Sequence, residues 1–277
     1  MNADPAQLLS AARLAADRAA RFLREQEGRV TEADWSLKAR ADFVTEVDRE
    51  SERMIAADLT AAFPGSIVLG EELSPEAGHR SPVTGSRSPV VWIVDPLDGT
   101  TNYLHHFPVW AVSIAAAQGG ELLAGLVHHV PLDIRYTAIR GGGARRDGVP
   151  IAVSVVSDPG HALIGTGTPF RDMGQWTRYH RQIEAVAADT AGIRRPGSAA
   201  LDLCDVAAGR FDGFWELQLA PWDVAAGALL VREAGGRVTD IDGQEDVVRH
   251  GPVVAGNAAI HEWLMGVLAN VKGSQGS

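Results

Sequence analysis

The segment with the clearest chemical potential is residues 92–102, WIVDPLDGTTN, where two aspartates three positions apart follow an apolar run. We expect the apolar run to form a strand that ends at Asp95, because the next residue is a proline, which cannot donate a ladder hydrogen bond. Asp98 then lies in a turn that leads into a helix, and the amides of Gly99 and Thr100 at this helix start suit a phosphate. The same segment is compatible with a plain turn in which Asp98 caps the helix.

Further acids occur where apolar runs meet turns. Glu71 and Glu72 follow the apolar residues 67–69, and Asp223 lies in the first turn of a predicted apolar helix. Taken singly, the glutamate pair is more typical of a solvated surface, and Asp223 of a helix cap. Asp48 is likewise typical of a helix start.

A shared location for Glu71, Asp95, Asp98 and Asp223 would require compensation of their charge. Two unit charges 4 Å apart repel by about 4 kcal/mol at the effective dielectric constant of proteins, whereas a whole domain is stable by only ~5–15 kcal/mol. A cleft lined by these four acids therefore implies bound cations or strongly raised pKa values. A set of oxygen ligands without His or Cys favours Mg²⁺, or Mn²⁺ in its place.

Apolar periodicity indicates the elements that position these acids. It predicts helices from Pro5 and after Thr45, short strands at 67–69 and 90–94, a surface loop at 74–88, and an antiparallel meander of strands at 111–117, 122–129 and 134–139. In the second half it predicts strands at 162–164, 211–216 and 237–241, and helices at 173–188, 198–208, 221–234 and 258–267. Because no repeat or low-complexity linker interrupts the chain, residues 1–277 are predicted to form one unit of two packed halves, roughly 1–150 and 151–277.

The composition argues against several classes of function. The chain has 35 acidic and 25 basic side chains, a net charge of −10, and no large basic cluster, which excludes nucleic-acid binding as its main activity. It shows neither a signal-peptide layout nor an apolar stretch of membrane-spanning length. Its one cysteine, Cys204, cannot form an internal disulfide. We therefore expect a soluble cytoplasmic protein that does not act on membranes.

The motifs together resemble one known family. Gly70-Glu71-Glu72, the segment 92–108 (WIVDPLDGTTNYLHHFP) and the segment 221–236, which begins PWDVAAG and ends EAGG, occur in this order at fitting intervals. In these residues the chain resembles the inositol monophosphatase family, within the wider superfamily of lithium-sensitive, metal-dependent sugar phosphatases. The resemblance spans nearly the whole chain. It implies an α+β fold of the layered αβαβα sugar-phosphatase type, with mixed and antiparallel sheets.

The resemblance also implies a set of metal ligands. Glu71, Asp95 and the backbone carbonyl of Leu97 match the ligands of one Mg²⁺, and Asp95, Asp98 and Asp223 match those of a second. Asp95 bridges the two ions in this interpretation. Two or three ions are therefore expected.

Catalysis in the resembling family implies in-line attack by a metal-activated water, without a covalent intermediate. Thr100 and Glu71 match the residues that orient this water, and Asp98 completes the predicted catalytic set. Glu71, with Asp48 nearby, also matches the surroundings of a weaker third ion.

Substrate contacts are implied by the same resemblance. Asp98 and the amides of Gly99 and Thr100 match the phosphate end of the site, and Ala199 and Glu216 match contacts to the hydroxyls of an inositol ring. The expected reaction is Mg²⁺-dependent hydrolysis of a small phosphate monoester, with myo-inositol monophosphate as the leading substrate. The expected enzyme class is phosphoric monoester hydrolase, acting as a homodimer on a small phosphorylated metabolite.

Several alternatives remain open at this point. Histidinol phosphate, 3′-phosphoadenosine 5′-phosphate and fructose 1,6-bisphosphate are other substrates of relatives with the same metal motifs. Arg195, close to the predicted substrate opening, departs from the family pattern and bears on substrate choice. A non-catalytic regulatory or scaffold protein with the same fold is the alternative from another class. It predicts decay among the ligands, yet all the expected acids and Thr100 are present.

Overall fold

Two β-sheets alternate with three helical layers, and the predicted site residues lie where the inner helices meet the sheet ends. The computed structural model describes residues 3–30, 36–39, 42–73, 88–170 and 172–272. The helices are α1 (Pro5–Gln26), α2 (Glu46–Ala62), α3 (Thr100–Leu104), α4 (Trp176–Ala188), α5 (Ala199–Ala207), α6 (Pro221–Glu233) and α7 (Ala258–Lys272). Most of the predicted loop 74–88 lies outside the described residues.

The first half forms a large sheet. Its strands, in spatial order, are β3 (Ile67–Gly70), β4 (Val91–Asp98), β5 (Ala111–Gln118), β6 (Glu121–His129), β7 (Ile134–Ile139), β8 (Gly143–Arg146) and β9 (Val149–Ile151). β3 runs parallel to β4 and every other pair is antiparallel, so the predicted meander is confirmed. A separate antiparallel pair is formed by β1 (Ser36–Ala39) and β2 (Asp42–Val44).

The second half forms a mixed sheet of five strands, in the order β11-β10-β12-β14-β13. The strands are β10 (Leu163–Thr166), β11 (Gly192–Arg194), β12 (Gly213–Leu219), β13 (Arg237–Thr239) and β14 (Gly251–Gly256). β10 is parallel to β11 and β12, whereas β14 is antiparallel to β12 and β13.

The alternation of apolar side chains explains the layers. On β4, Trp92 and Val94 pack with α1 and α2, whereas Val91 and Ile93 face a core shared with α5 and α6. That inner core also takes in side chains from β12 and β14, and the far side of the second sheet packs against α4 and α7. The resulting order, helices, sheet, helices, sheet, helices, confirms the expected αβαβα fold. The inner core includes residues of both halves, while the organisation of the chain as one packed unit stays a prediction.

Some predicted elements were wrong in their limits. β4 does not stop at the proline after Asp95 but continues to Asp98, and residues 173–175 form a 3₁₀ turn before α4 begins. The last helix runs five residues beyond the predicted 267, to Lys272. Strands β8, β9, β11 and β14 were not predicted, because they are short or begin with glycine and carry little apolar alternation.

Candidate active site

A cavity of about 340 Å³ lies between the large sheet, the N-terminal ends of α3, α5 and α6, and the strand β12. Every residue predicted to serve the site contributes to its lining. These residues are Glu71, Asp95, Leu97, Asp98, Gly99, Thr100, Ala199, Glu216 and Asp223. The structure thus brings them together from positions up to 152 residues apart, while their chemical roles stay predictions.

A β-bulge aims Asp95 and Asp98 in the same direction. The two aspartates are three positions apart on β4, but their partners on β5, Ser113 and Ala111, are only two apart. Residues three apart on a regular strand point to opposite faces. The extra residue of the bulge cancels one step of this alternation, so both carboxylates reach the cavity.

Asp98 is fixed by the start of α5. Its Oδ2 accepts hydrogen bonds from the hydroxyl of Ser198 (2.5 Å) and from the amide of Ala200 (2.8 Å). Ser198 is also the N-cap of α5. The same side chain therefore stabilises the start of the helix and binds Asp98. Sequence reasoning missed Ser198, because the contact joins positions 100 residues apart.

Asp223 and Asp95 complete a group of three carboxylates. Asp223, in the first turn of α6, accepts a hydrogen bond from the amide of Ala220 (2.7 Å), and Asp95 accepts one from the amide of Leu97 (3.0 Å). One carboxylate oxygen from each of Asp95, Asp98 and Asp223 can be chosen so that all lie within 4.8 Å of one another. The predicted cap role and the predicted convergence therefore both hold for Asp223.

The surroundings disfavour the ionised forms of these acids. Burial raises the pKa of Asp95 well above its usual value, and the charges of Glu71, Asp98 and Asp223 raise it further. Burial also raises the pKa of Asp98 to about 6, although the hydrogen bond from Ser198 opposes this effect. The charge of Glu71 raises the pKa values of both Asp95 and Asp98, so Glu71 lies close enough to interact electrostatically with this group of acids.

The donor set fits a hard divalent cation. The group offers only carboxylate oxygens, all on buried or half-buried residues, and lone pairs that repel one another until a positive charge neutralises them. The Leu97 carbonyl, predicted as a further ligand, lines the same cavity.

Thr100 connects the cavity to helix α2. Its hydroxyl lies within hydrogen-bond distance of Asp48 Oδ1 (3.2 Å) and of the Leu97 carbonyl (3.1 Å). The other oxygen of Asp48 accepts hydrogen bonds from the amide (2.8 Å) and hydroxyl (2.6 Å) of Thr45, so it also caps α2. Asp48 is therefore more than a helix-start residue, since it orients the Thr100 hydroxyl.

The opposite end of the cavity carries a different set of groups. The Glu216 carboxylate lies directly over Gly167, where a Cβ would come within about 2.0 Å of it. Asp202 is buried, and its Oδ1 has no hydrogen-bond partner among the described residues. The Arg195 guanidinium stacks on the Phe170 ring, 4.9 Å from its centroid. This end combines two carboxyl groups, which can accept hydrogen bonds from ligand hydroxyls, with one cation, Arg195.

Asp202 was not predicted from the sequence. Burial raises its pKa well above the usual value, and the nearby charge of Glu216 adds to this effect. It lies one helical turn after Ala199, and this spacing is the one sequence signal that could have indicated it.

Comparisons with known proteins agree with this geometry. The model of the inositol monophosphatase family matches residues 4–272. The inositol-1-monophosphatase of Mesorhizobium japonicum is 44% identical over 255 residues, which are 91% of this chain and 92% of that protein. The Nus factor SuhB of Pseudomonas aeruginosa is 43% identical over 226 residues, 81% of this chain and 82% of that protein.

A solved structure shows the same fold. The extragenic suppressor protein SuhB of Bartonella henselae superposes with a TM-score of 0.85 at 40% identity, covering 97% of this chain and 98% of that chain. No helix in the described part of the chain combines the length and apolar character needed to cross a membrane. The whole-chain family match and these similarities lead to one conclusion: the chain belongs to the inositol monophosphatase family, whose members are metal-dependent and whose membership supports phosphatase activity.

Proposed function

We propose that the protein hydrolyses a small phosphate monoester in a Mg²⁺-dependent reaction, with myo-inositol monophosphate as the leading substrate. The observation that carries the proposal is the group of two buried aspartates, Asp95 and Asp98, and the half-buried Asp223, with ligand oxygens within 4.8 Å of one another. The group shares its cavity with the hydroxyl of Thr100 at one end and the carboxylate of Glu216 at the other. The cavity therefore offers a cation site, a water-orienting site and a hydroxyl-binding site in one space.

Two or three Mg²⁺ ions, or Mn²⁺ in their place, would be held by Glu71, Asp95, Asp98, Asp223 and the Leu97 carbonyl. When bound, such ions polarise a phosphoryl oxygen, lower the pKa of a bound water and stabilise a leaving alkoxide. The carboxylates supply the negative charge that retains the ions. Asp95 is the most buried of the three aspartates, and the charges of Glu71, Asp98 and Asp223 add to the effect of burial on its pKa, so it would gain most from neutralisation by bound cations.

The chain's own groups orient the reactants. The Thr100 hydroxyl, whose proton is directed to Asp48 and the Leu97 carbonyl, would accept a hydrogen bond from the attacking water. Glu71 would accept a second hydrogen bond from that water. The amides of Gly99 and Thr100 would donate to phosphate oxygens, because they line the cavity at the start of α3.

Glu216 favours a polyol substrate over the two alternatives that carry a second phosphate. A carboxylate accepts hydrogen bonds from sugar or inositol hydroxyls and repels a second phosphate. Arg195 is the only cation among the cavity-lining residues described, which makes the cavity a poor match for fructose 1,6-bisphosphate or 3′-phosphoadenosine 5′-phosphate. Ala199, at the first turn of α5, would contact the ring through its backbone.

Phosphate release from a panel of monoesters tests the proposal. Purified protein should release phosphate from myo-inositol monophosphate in the presence of Mg²⁺, more slowly from histidinol, nucleotide and sugar phosphates, and from none of them with excess EDTA. Asp98→Asn should lower turnover by about 10² or more. Glu233→Gln, a size-conserving change at the far end of α6 and outside the cavity lining, is the control for replacing an acid by its amide. Hydrolysis of all substrates in EDTA would refute the role of the cations.

A regulatory role is the second candidate, since a relative 43% identical bears the name Nus factor SuhB. Such a role would not need turnover, so an Asp98→Asn protein would complement a deletion strain fully. A purely catalytic role predicts that the same variant fails.

The proposed homodimer and its cytoplasmic location are checked by light scattering and by fractionation of cells.

A further inference from the structure

The buried acid Glu52 lies beneath the segment that carries Glu71. Glu52 is on α2 and only 1% exposed. Its Oε2 accepts a hydrogen bond from the amide of Glu72 (2.7 Å), and its Oε1 accepts one from the amide of Leu73 (3.1 Å). A carboxylate hydrogen-bonded through both oxygens to consecutive amides fixes the course of the backbone at that point.

Gly70 shows how closely this segment fits around the carboxylate. A Cβ on Gly70 would lie 1.9 Å from Glu52 Oε1, so the carboxylate occupies the space where a side chain at position 70 would be. Glu71 is therefore flanked on both sides by backbone that contacts Glu52. Neither residue 70 nor residues 72 and 73 can shift without breaking these contacts.

The same face of α2 contacts two other parts of the site. Ser51 and Glu52 lie three and four residues after Asp48, which places all three on one face of the helix. All three are buried. Asp48 binds the Thr100 hydroxyl, and the Ser51 hydroxyl donates to the carbonyl of Pro96 in the β4 bulge (3.3 Å). One rigid helix thus braces the three segments that carry Thr100, the bulge aspartates and Glu71.

We propose that Glu52 is a positioning residue that sets the direction of Glu71 toward the cavity, and thereby the affinity of the cation site to which Glu71 contributes. This inference rests on the proposed function, because it requires that the cavity binds cations. Glu52 itself does not reach the cavity lining. Partners that orient metal ligands from behind typically change metal affinity by about 10–100-fold when they are replaced.

A second acid in the chain provides a matched control. Glu233 accepts hydrogen bonds from the amides of Gly141 (2.8 Å) and Gly143 (2.9 Å), so it fixes the β7–β8 turn by the same two-oxygen arrangement. None of these three residues lines the cavity. Glu233→Gln therefore alters the same pair of hydrogen bonds, on a half-buried side chain, in a turn whose residues lie outside the cavity lining.

The test compares Mn²⁺ binding by wild type, Glu52→Gln and Glu233→Gln, measured by electron paramagnetic resonance titration. A glutamine keeps the size of Glu52 but turns an NH₂ toward one of the two amide donors. We expect Glu52→Gln to weaken at least one Mn²⁺ site by about tenfold, and Glu233→Gln to leave Mn²⁺ affinity within about twofold of wild type. Gly70→Ala, which pushes a Cβ onto the same carboxylate, should reproduce the weakened binding.

A double-mutant cycle separates positioning from general destabilisation. If Glu52 acts through Glu71, then Glu52→Gln should have little further effect on Mn²⁺ affinity in a Glu71→Gln background. Equal effects in both backgrounds would overturn the inference. So would unchanged Mn²⁺ affinity in Glu52→Gln combined with faster hydrogen exchange at the amides of residues 72 and 73.

The outcome for the proposed function is separate. Wild type that binds Mn²⁺ but releases no phosphate would refute the phosphatase proposal, while the comparison with Glu52→Gln would still decide the role of Glu52. Wild type that binds no Mn²⁺ would refute both.

Discussion

Replacing Asp98 by asparagine should change how the free energy of unfolding depends on pH. At neutral pH the variant should be more stable than wild type without Mg²⁺ and less stable than wild type with Mg²⁺. Asp98 is buried beside Asp95 and Asp223, and its pKa in the metal-free protein is raised from 3.8 to about 6. Asparagine keeps the shape and one acceptor oxygen for Ser198 and Ala200 but cannot ionise. The variant therefore isolates the charge of this one group.

The magnitude follows from that pKa. Below pH 3.8 the carboxyl is protonated in both the folded and the unfolded chain, so it imposes no penalty. Between pH 3.8 and the folded pKa of about 6, the unfolded chain has lost this proton while the folded chain still holds it, so stability falls with rising pH and levels off above pH 6. Each tenfold change in proton affinity is worth about 1.4 kcal/mol, which gives a loss of roughly 3 kcal/mol. Burial is the main cause of this loss, and the charge of Glu71 adds to it.

Urea unfolding in EDTA at pH 4, 5, 6, 7 and 8 measures this effect as a difference between variant and wild type. Relative to wild type, Asp98→Asn should gain roughly 3 kcal/mol of unfolding free energy between pH 4 and pH 7, and little more above that. In saturating Mg²⁺ the order should reverse, because only the wild-type site binds the cations tightly and is stabilised by them.

An exposed acid supplies the control. The hydrogen bond from Arg53 lowers the pKa of Glu46 below its usual 4.5, so its contribution to stability is already complete well above that pH and is lost only as pH falls below it. Glu46→Gln should therefore show no trend between pH 6 and pH 8. A pH-independent difference for Asp98→Asn in EDTA would refute the raised pKa of Asp98 on which this prediction rests.

Three further predictions concern the walls of the cavity. Gly99→Ala should lower the unfolding free energy by about 1–3 kcal/mol in urea titration, because Gly99 has φ +93° and a Cβ would lie 2.9 Å from the Val109 carbonyl; Gly28→Ala, at φ +80° with open space, should cost less. Gly167→Ala should displace the Glu216 carboxylate and raise KM for myo-inositol monophosphate by about tenfold, with a smaller change for p-nitrophenyl phosphate in the same assay. Asp202→Asn should be more stable relative to wild type at pH 8 than at pH 4, because burial raises the pKa of Asp202 and the wild-type carboxyl is harder to ionise in the folded protein. The trend should be the same in EDTA and in Mg²⁺, since Asp202 is not one of the three clustered aspartates. Thermal melts in which the difference from wild type does not change with pH would contradict this.

Local patterns predicted the elements that are long and amphipathic. The helices α1 and α2 and the strands β5, β6 and β7 could be predicted because their apolar period is sustained over several residues. The strands β11 and β14 of the second sheet could not, since their stability comes from pairing with β10 and β12 rather than from their own sequence. The β4 bulge was also missed, because a proline after an apolar run is the usual signal for a strand end.

The site was predictable to the extent that its residues carry charge at element ends. Asp95, Asp98 and Asp223 could be recognised by type and spacing, and the resemblance to a family supplied Thr100, Ala199 and Glu216. The contacts that orient them could not, because they join remote positions, such as Ser198 with Asp98 and Glu52 with the residues after Glu71. A local pattern contains no information on such a pairing.

Helix capping and metal binding are alternatives in a sequence but not in the folded chain. A carboxylate has two oxygens and about four lone-pair sites. Asp223 uses Oδ2 to accept from the Ala220 amide, and Asp98 uses Oδ2 for Ser198 and Ala200, so both are held in place by protein donors before any cation arrives. A site fixed in this way requires little reorganisation on binding. Its fold should then persist without metal, in contrast to small domains that fold only around an ion, and the cations would act on stability by relieving repulsion among charges that the backbone has already brought together.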